Sequence, residues 1–108
     1  MSEKIIINLF DLPGCALYGY NTGLKARKKF KLDELDLHPG GVHVVSNEEF
    51  CWVTSTFIFG FFEKSILHFK SKDAFYTHYS FTPNSYITRQ LPRCLERILF
   101  DPNWTTYQ

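Results

Sequence analysis

The chain has almost no net charge, few cysteines and no long apolar run, and each shortage removes a class of protein. Twelve Lys and Arg stand against eleven Asp and Glu, leaving a formal charge of +1. A field so near zero neither gathers nor repels nucleic acid, so only a local basic patch would bind it. The three cysteines, Cys15, Cys51 and Cys94, are odd in number and far apart. That pattern fits reduced thiols in an intracellular chain better than a disulfide frame. No stretch approaches the roughly 20 apolar residues of a membrane span. The opening MSEKIII carries an acidic residue and too short an apolar run for a signal peptide. A cytoplasmic and nuclear protein with no membrane partner is the expectation. Internal repeats and low-complexity tracts are also missing.

Aromatics, by contrast, are plentiful: eleven Phe, six Tyr and two Trp. With 44% hydrophobic residues in 108, the chain can build one packed core, and a single domain over 1–108 is expected. Aromatics favour strands and interfaces, which points to a sheet with a binding face.

Read along the chain, KIIINLF (4–10) is a β-branched strand closed by the turn Asp11-Leu12-Pro13-Gly14. CALYGY (15–20) reads as a second strand stopped by Asn21-Thr22-Gly23. Val42–Val45 is a short strand. CWVTSTFIFGFF (51–62) alternates two faces, turns at Glu63-Lys64-Ser65 and pairs with Ile66–Lys70 as a hairpin. Ala74–Phe81 adds one more strand. Only near the end does the period change: Leu91, Leu95, Ile98 and Leu99 fall at i, i+4, i+7 and i+8, an amphipathic helix over about 91–100. Pro92 would sit in its first turn, and Asp101-Pro102 would end it before a polar tail, 101–108. The order predicts a mainly β domain, a β-sandwich or half-barrel of about seven strands with one C-terminal helix docked on it.

Candidate chemistry centres on HPGGVHVVS (38–46). Zinc wants four ligands, usually paired at short spacing; no Cys pair has that spacing, and His38 and His43 lack nearby partners of suitable type. A phosphate loop needs its glycines to open a helix, whereas Gly40 and Gly41 lead into valines. The favoured reading is a turn, Pro39-Gly40-Gly41, feeding a strand that carries His43. A small enzyme pairing Cys51 with a histidine stays open as a rival. Lys25, Arg27, Lys28, Lys29 and Lys31 surround Phe30, as in a patch for single-stranded RNA, but Asp33, Glu34 and Asp36 follow and cancel much of the field. Lys28 and Lys29 are candidate partner contacts, as are Trp104 and Tyr107 in the tail. No catalytic, metal or cofactor constellation emerges, so the expected activity is binding without a cofactor.

The run LYGYNTGLKARKKFKLDELDLHPGGVHVV resembles the opening of the Aar-two splicing factors. Leu12-Pro13-Gly14 stands at that family's first turn and Tyr18-Gly19-Tyr20-Asn21 at its corner. Lys29-Phe30 matches its Lys-Phe, Leu37-His38-Pro39-Gly40 its second turn, and Val42-His43-Val44 its next strand. Thr56–Phe62 looks like the following strand pair, and the helix at Leu95 and the tail Asp101-Pro102-Asn103-Trp104 keep the order. A tryptophan usual after the corner is replaced by Leu24 or Lys25, and the family's helical second domain lies outside the match. The resemblance implies a non-enzymatic factor of mRNA processing and splicing. Its members bind the large scaffold protein of the U-five snRNP and delay docking of the RNA helicase during spliceosome assembly. RNA binding through Lys25–Lys31 is the alternative.

Overall fold

A computed structural model describes residues 3–12, 16–46 and 52–100. Its longest apolar segment overturns the strand reading first. Thr54 is an N-cap whose hydroxyl accepts from the Phe57 amide, and Ser55–Phe69 follows as a 15-residue helix. Six consecutive residues, Phe57 to Phe62, are buried, so this stretch of the helix is apolar all round and shows no amphipathic period. Sequence alternation does not separate such a helix from a buried strand. The supposed turn Glu63-Lys64-Ser65 is simply its third turn.

The remaining elements are β1 (Ile5–Asn8), a 3-10 turn (Leu9–Asp11), β2 (Ala16–Leu17), α1 (Tyr20–Phe30), α2 (Leu32–Leu35), β3 (Val42–Val45) and β4 (Trp52–Val53), with Ser55–Phe69 as α3, then α4 (Lys72–His78), β5 (Tyr79–Phe81) and α5 (Tyr86–Phe100). Strands β1, β3 and β5 form one parallel sheet in that order, and β2 pairs with β4 in a second, also parallel. The chain is therefore α/β, and the mainly β sandwich is excluded. Parallel neighbours cannot be joined by hairpins and need long, usually helical, crossovers; α1 with α2, and α3 with α4, fill that role.

Other expected strands also change type. Asn21-Thr22-Gly23 lies inside α1, and Ala74–His78 belongs to α4, capped by Ser71, whose hydroxyl accepts from the Ala74 amide at 3.1 Å. The C-terminal helix starts at Tyr86, where Ser85 and Thr88 cap one another: Ser85 N–H donates to Thr88 Oγ1 at 3.0 Å and Thr88 N–H to Ser85 Oγ at 3.4 Å. Pro92 is thus the seventh helical residue, not part of the first turn. Leu91, Leu95 and Ile98 are buried and Leu99 half-buried, but they pack on α3 and β4 rather than on the three-stranded sheet.

On that sheet, register puts Ile5, Val42 and Tyr79 in one row and Ile7, Val44 and Phe81 in the next. These rows face α3, whose Phe62 ring lies 5.3 Å from Tyr79 and 5.7 Å from Phe81. The opposite face carries Ile6, His43 and Ser80 in one row.

Candidate interaction surfaces

Arg27 belongs to the basic run, yet its side chain is 5% exposed. Its five N–H groups are all engaged. Nε and Nη2 donate to Asp33 Oδ1 at 3.1 and 2.7 Å, and Nη2 donates to Asp36 Oδ2 at 2.9 Å. Nη1 reaches the Phe61 carbonyl at 3.0 Å and Ser65 Oγ at 2.7 Å. Ser65 and Tyr79 both donate to Asp36 Oδ1. A buried charge is tolerated only when paired and hydrogen-bonded, and here the pair ties α1, the segment after α2, α3 and β5 into one knot. Arg27 holds the Asp33 carboxyl below its usual range, through its hydrogen bonds and its charge. Tyr79 is raised well above an ordinary phenol, by burial first and then by Asp36. Asp36, Ser65 and Tyr79, buried together with Arg27, hold the fold, while Asp33 stays at the surface.

The rest of the basic run disperses. Lys29 donates to the Asp11 carbonyl at 2.6 Å. Phe30 packs edge-on against Phe61 with centroids 6.2 Å apart, so it offers no stacking platform. Lys28 and Lys31 join Lys64 around a cleft of about 450 Å³, where Asp33 and Glu34 oppose them. The basic run Lys25–Lys31 thus sends its cations to different neighbours, with Asp33 and Glu34 close to Lys28 and Lys31.

The histidines of the HPGG segment sit in the backbone framework. Gly41 N–H donates to the His38 carbonyl at 3.1 Å, closing the turn over Pro39-Gly40. Gly41 has φ +79°, and a Cβ there would crowd the His78 carbonyl, so glycine is required twice over. His38 Nε2 donates to the Glu3 carbonyl at 2.7 Å, and His78 Nε2 to that of Leu35 at 2.6 Å. His43 Nδ1 shares a 2.8 Å hydrogen bond with Ser80 Oγ, to which Lys4 Nζ also donates at 3.2 Å. Among the described residues no three His, Cys, Asp or Glu side chains converge on a point. Pro13, Gly14, Cys15, Cys51, Trp104 and Tyr107 lie outside the described residues.

Two surfaces escape a residue-by-residue reading. The first is the sheet face away from α3: Ile6, on the edge strand β1, is 68% exposed, with His43 next to it and Ser80 beyond His43 in the same row. The second lies on α5, where Arg89, Arg93 and Arg97 recur every four residues beside exposed Phe100. That spacing is visible in the sequence, but attention there goes to the leucine stripe on the other side. No helix among the described residues is long and apolar enough to cross a membrane. No family model, curated protein or solved structure matches the chain.

Proposed function

We propose that this domain is a non-enzymatic binding module that docks a protein partner on the open face of its parallel sheet. The observation that carries this is Ile6, 68% exposed in the row it shares with His43 and Ser80. All-parallel sheets occur almost only with both faces covered, and here α3 covers one. Ile6 sets an apolar side chain at one edge of this face, with polar His43 and Ser80 following it across the row, the mixture found in interface patches. The occupant that suits it is an amphipathic helix of the partner, setting an apolar side chain on Ile6 and acceptors toward Lys4.

In its most specific form the partner is the U-five snRNP scaffold protein, whose occupancy delays helicase docking in splicing. This form rests on the ordered residue matches to the Aar-two factors alone, since the β-domain expected with them is replaced by an α/β fold. The test is titration of the domain, wild type and Ile6→Glu, against the carboxy-terminal region of that scaffold and against single-stranded RNA at two salt concentrations. Scaffold binding that falls mildly with salt and is lost in Ile6→Glu is expected. Tight RNA binding with a steep salt slope and no response to the scaffold overturns the reading.

A further inference from the structure

We infer that the outer edge of β1 pairs with the same edge of a second copy of this chain, antiparallel about Ile6, joining two three-stranded sheets into one of six strands. Strand β1 ends the sheet order β1-β3-β5. Its Ile5 amide donates to the Gly41 carbonyl at 3.0 Å. Along a parallel pair, alternate residues turn their N–H and C=O to the same neighbour. Ile5 and Ile7 therefore serve β3, and the N–H and C=O of Ile6 point out of the sheet. Among the described residues, neither group has a hydrogen-bond partner. Sheet edges are ordinarily blunted by proline, a bulge or charged side chains, lysine above all. Ile5-Ile6-Ile7-Asn8 holds neither proline nor charge. The nearest lysine, Lys4, is drawn across the sheet instead, its Nζ donating to Ser80 Oγ on β5 at 3.2 Å.

The edge itself chooses a second copy as the occupant. In an antiparallel pair, residues directly opposite can exchange both hydrogen bonds, so Ile6 and its counterpart satisfy one another with no change to either sheet. The two-fold axis then stands perpendicular to the sheet, which keeps both helical layers on one side and closes the interface. Ile5 falls opposite Ile7 of the other copy, at a position without hydrogen bonds, where side chains come closest. Ile5 lies in a row that faces α3, yet it is 37% exposed where Ile7 is 5% exposed. That exposure comes from standing at the edge, and Ile7 of the second copy covers it. On the opposite face the two Ile6 side chains adjoin, and β-branched pairs of this kind stabilise a seam. With a formal charge of +1 on each chain, repulsion between copies is slight. A seam of four-residue strands lies at the small end of interfaces, so the dimer is weak and builds up with concentration. It uses the edge of the sheet and stands apart from the docking proposed for the face.

Sedimentation velocity of the full chain, with no other molecule present, is the test. The average mass should climb from one chain toward two between about 10 µM and 1 mM. Ile6→Lys and Ile6→Glu should each stay monomeric over that range, because the two-fold sets like charges directly opposite. An equimolar mixture of the two should associate again, since Lys then faces Glu. Position 6 is 68% exposed, so both variants should keep the wild-type thermal midpoint. Ile6→Pro removes only the outward amide and should weaken association about tenfold or more. His43→Glu alters the face but not the edge and should associate as the wild type does, so failure of the docking reading and failure of this one are told apart. A chain that stays monomeric to about 1 mM, a charged variant that still self-associates, or a mixture that fails to recover association overturns the inference.

Discussion

Gly23 on α1 and Gly60 on α3 meet where the two helices cross, backbone against backbone. A methyl on Gly23 would overlap the Phe57 carbonyl oxygen, and one on Gly60 that of Tyr20. Small residues are what allow helix axes to come this close, and carbonyls then accept weak Cα–H contacts across the gap. Alanine at an exposed helix position gains about 1 kcal/mol over glycine, whereas overpacking costs about 1–3 kcal/mol.

The sign of a Gly60→Ala change therefore decides whether the crossing is real. Destabilisation by about 1 kcal/mol or more is expected in chemical denaturation, and Gly23→Ala should behave alike. A stabilised protein would mean that the helices stand further apart.

Arg27 has two carboxylate partners of unequal worth. Asp33 is 75% exposed and Asp36 6% exposed. Removing the exposed partner by Asp33→Ala should cost about 0–1 kcal/mol. Arg27→Ala strands Asp36 in the interior and should cost about 3–5 kcal/mol. Equal losses from the two substitutions in urea melts would contradict this division.

Alkaline pH should unfold the protein early. Burial lifts Cys94 from 9.0 to about 11. Burial and the Glu63 hydrogen bond lift Tyr20 from 10.0 to about 12, and Tyr79 is raised further. Each group binds its proton more tightly when folded, so its contribution is complete below its unfolded value and declines above it. The thermal midpoint should hold up to about pH 9, then fall, with Cys94 spent near 11 and Tyr20 near 12. Tyr79→Phe should cost about 1–3 kcal/mol at neutral pH and flatten the alkaline decline. A midpoint independent of pH between 9 and 12 would refute the assignment.

Pro92 interrupts α5 at its seventh residue, where it has no amide to offer the Thr88 carbonyl and its ring crowds that group. The residue is exposed, so Pro92→Ala should stabilise the protein by about 1–3 kcal/mol. A loss of stability would place the helix start after Pro92.

What was legible in the sequence was local and one-sided. Ile5–Asn8 and Val42–Val45 announced themselves by β-branching, and the face of α5 by its leucine spacing. Elements defined by their surroundings were not legible. The Phe57–Phe62 stretch of α3 is enclosed on every side, so its pattern has no polar face to set a period. Asn21-Thr22-Gly23 looks like a turn because glycine usually marks one, and only the crossing partner Gly60 explains why it sits in a helix. The basic run looked continuous because Arg27 cannot be told from its lysine neighbours until Asp36, Ser65 and Tyr79 are brought to it. That Ile6 stands exposed on the sheet does not follow without knowing which sides the core takes.

The enclosure of α3 also sets an order of events at the ribosome. Its apolar surface is covered by α1, made before it, and by α5, made after it. A nascent chain halted before Tyr86 therefore carries a fifteen-residue helix with one flank bare, a state prone to association. Synthesis of α5 removes that hazard, so variants that weaken the Ser85–Thr88 cap should raise the dependence of the chain on chaperones during translation more than they lower its final stability.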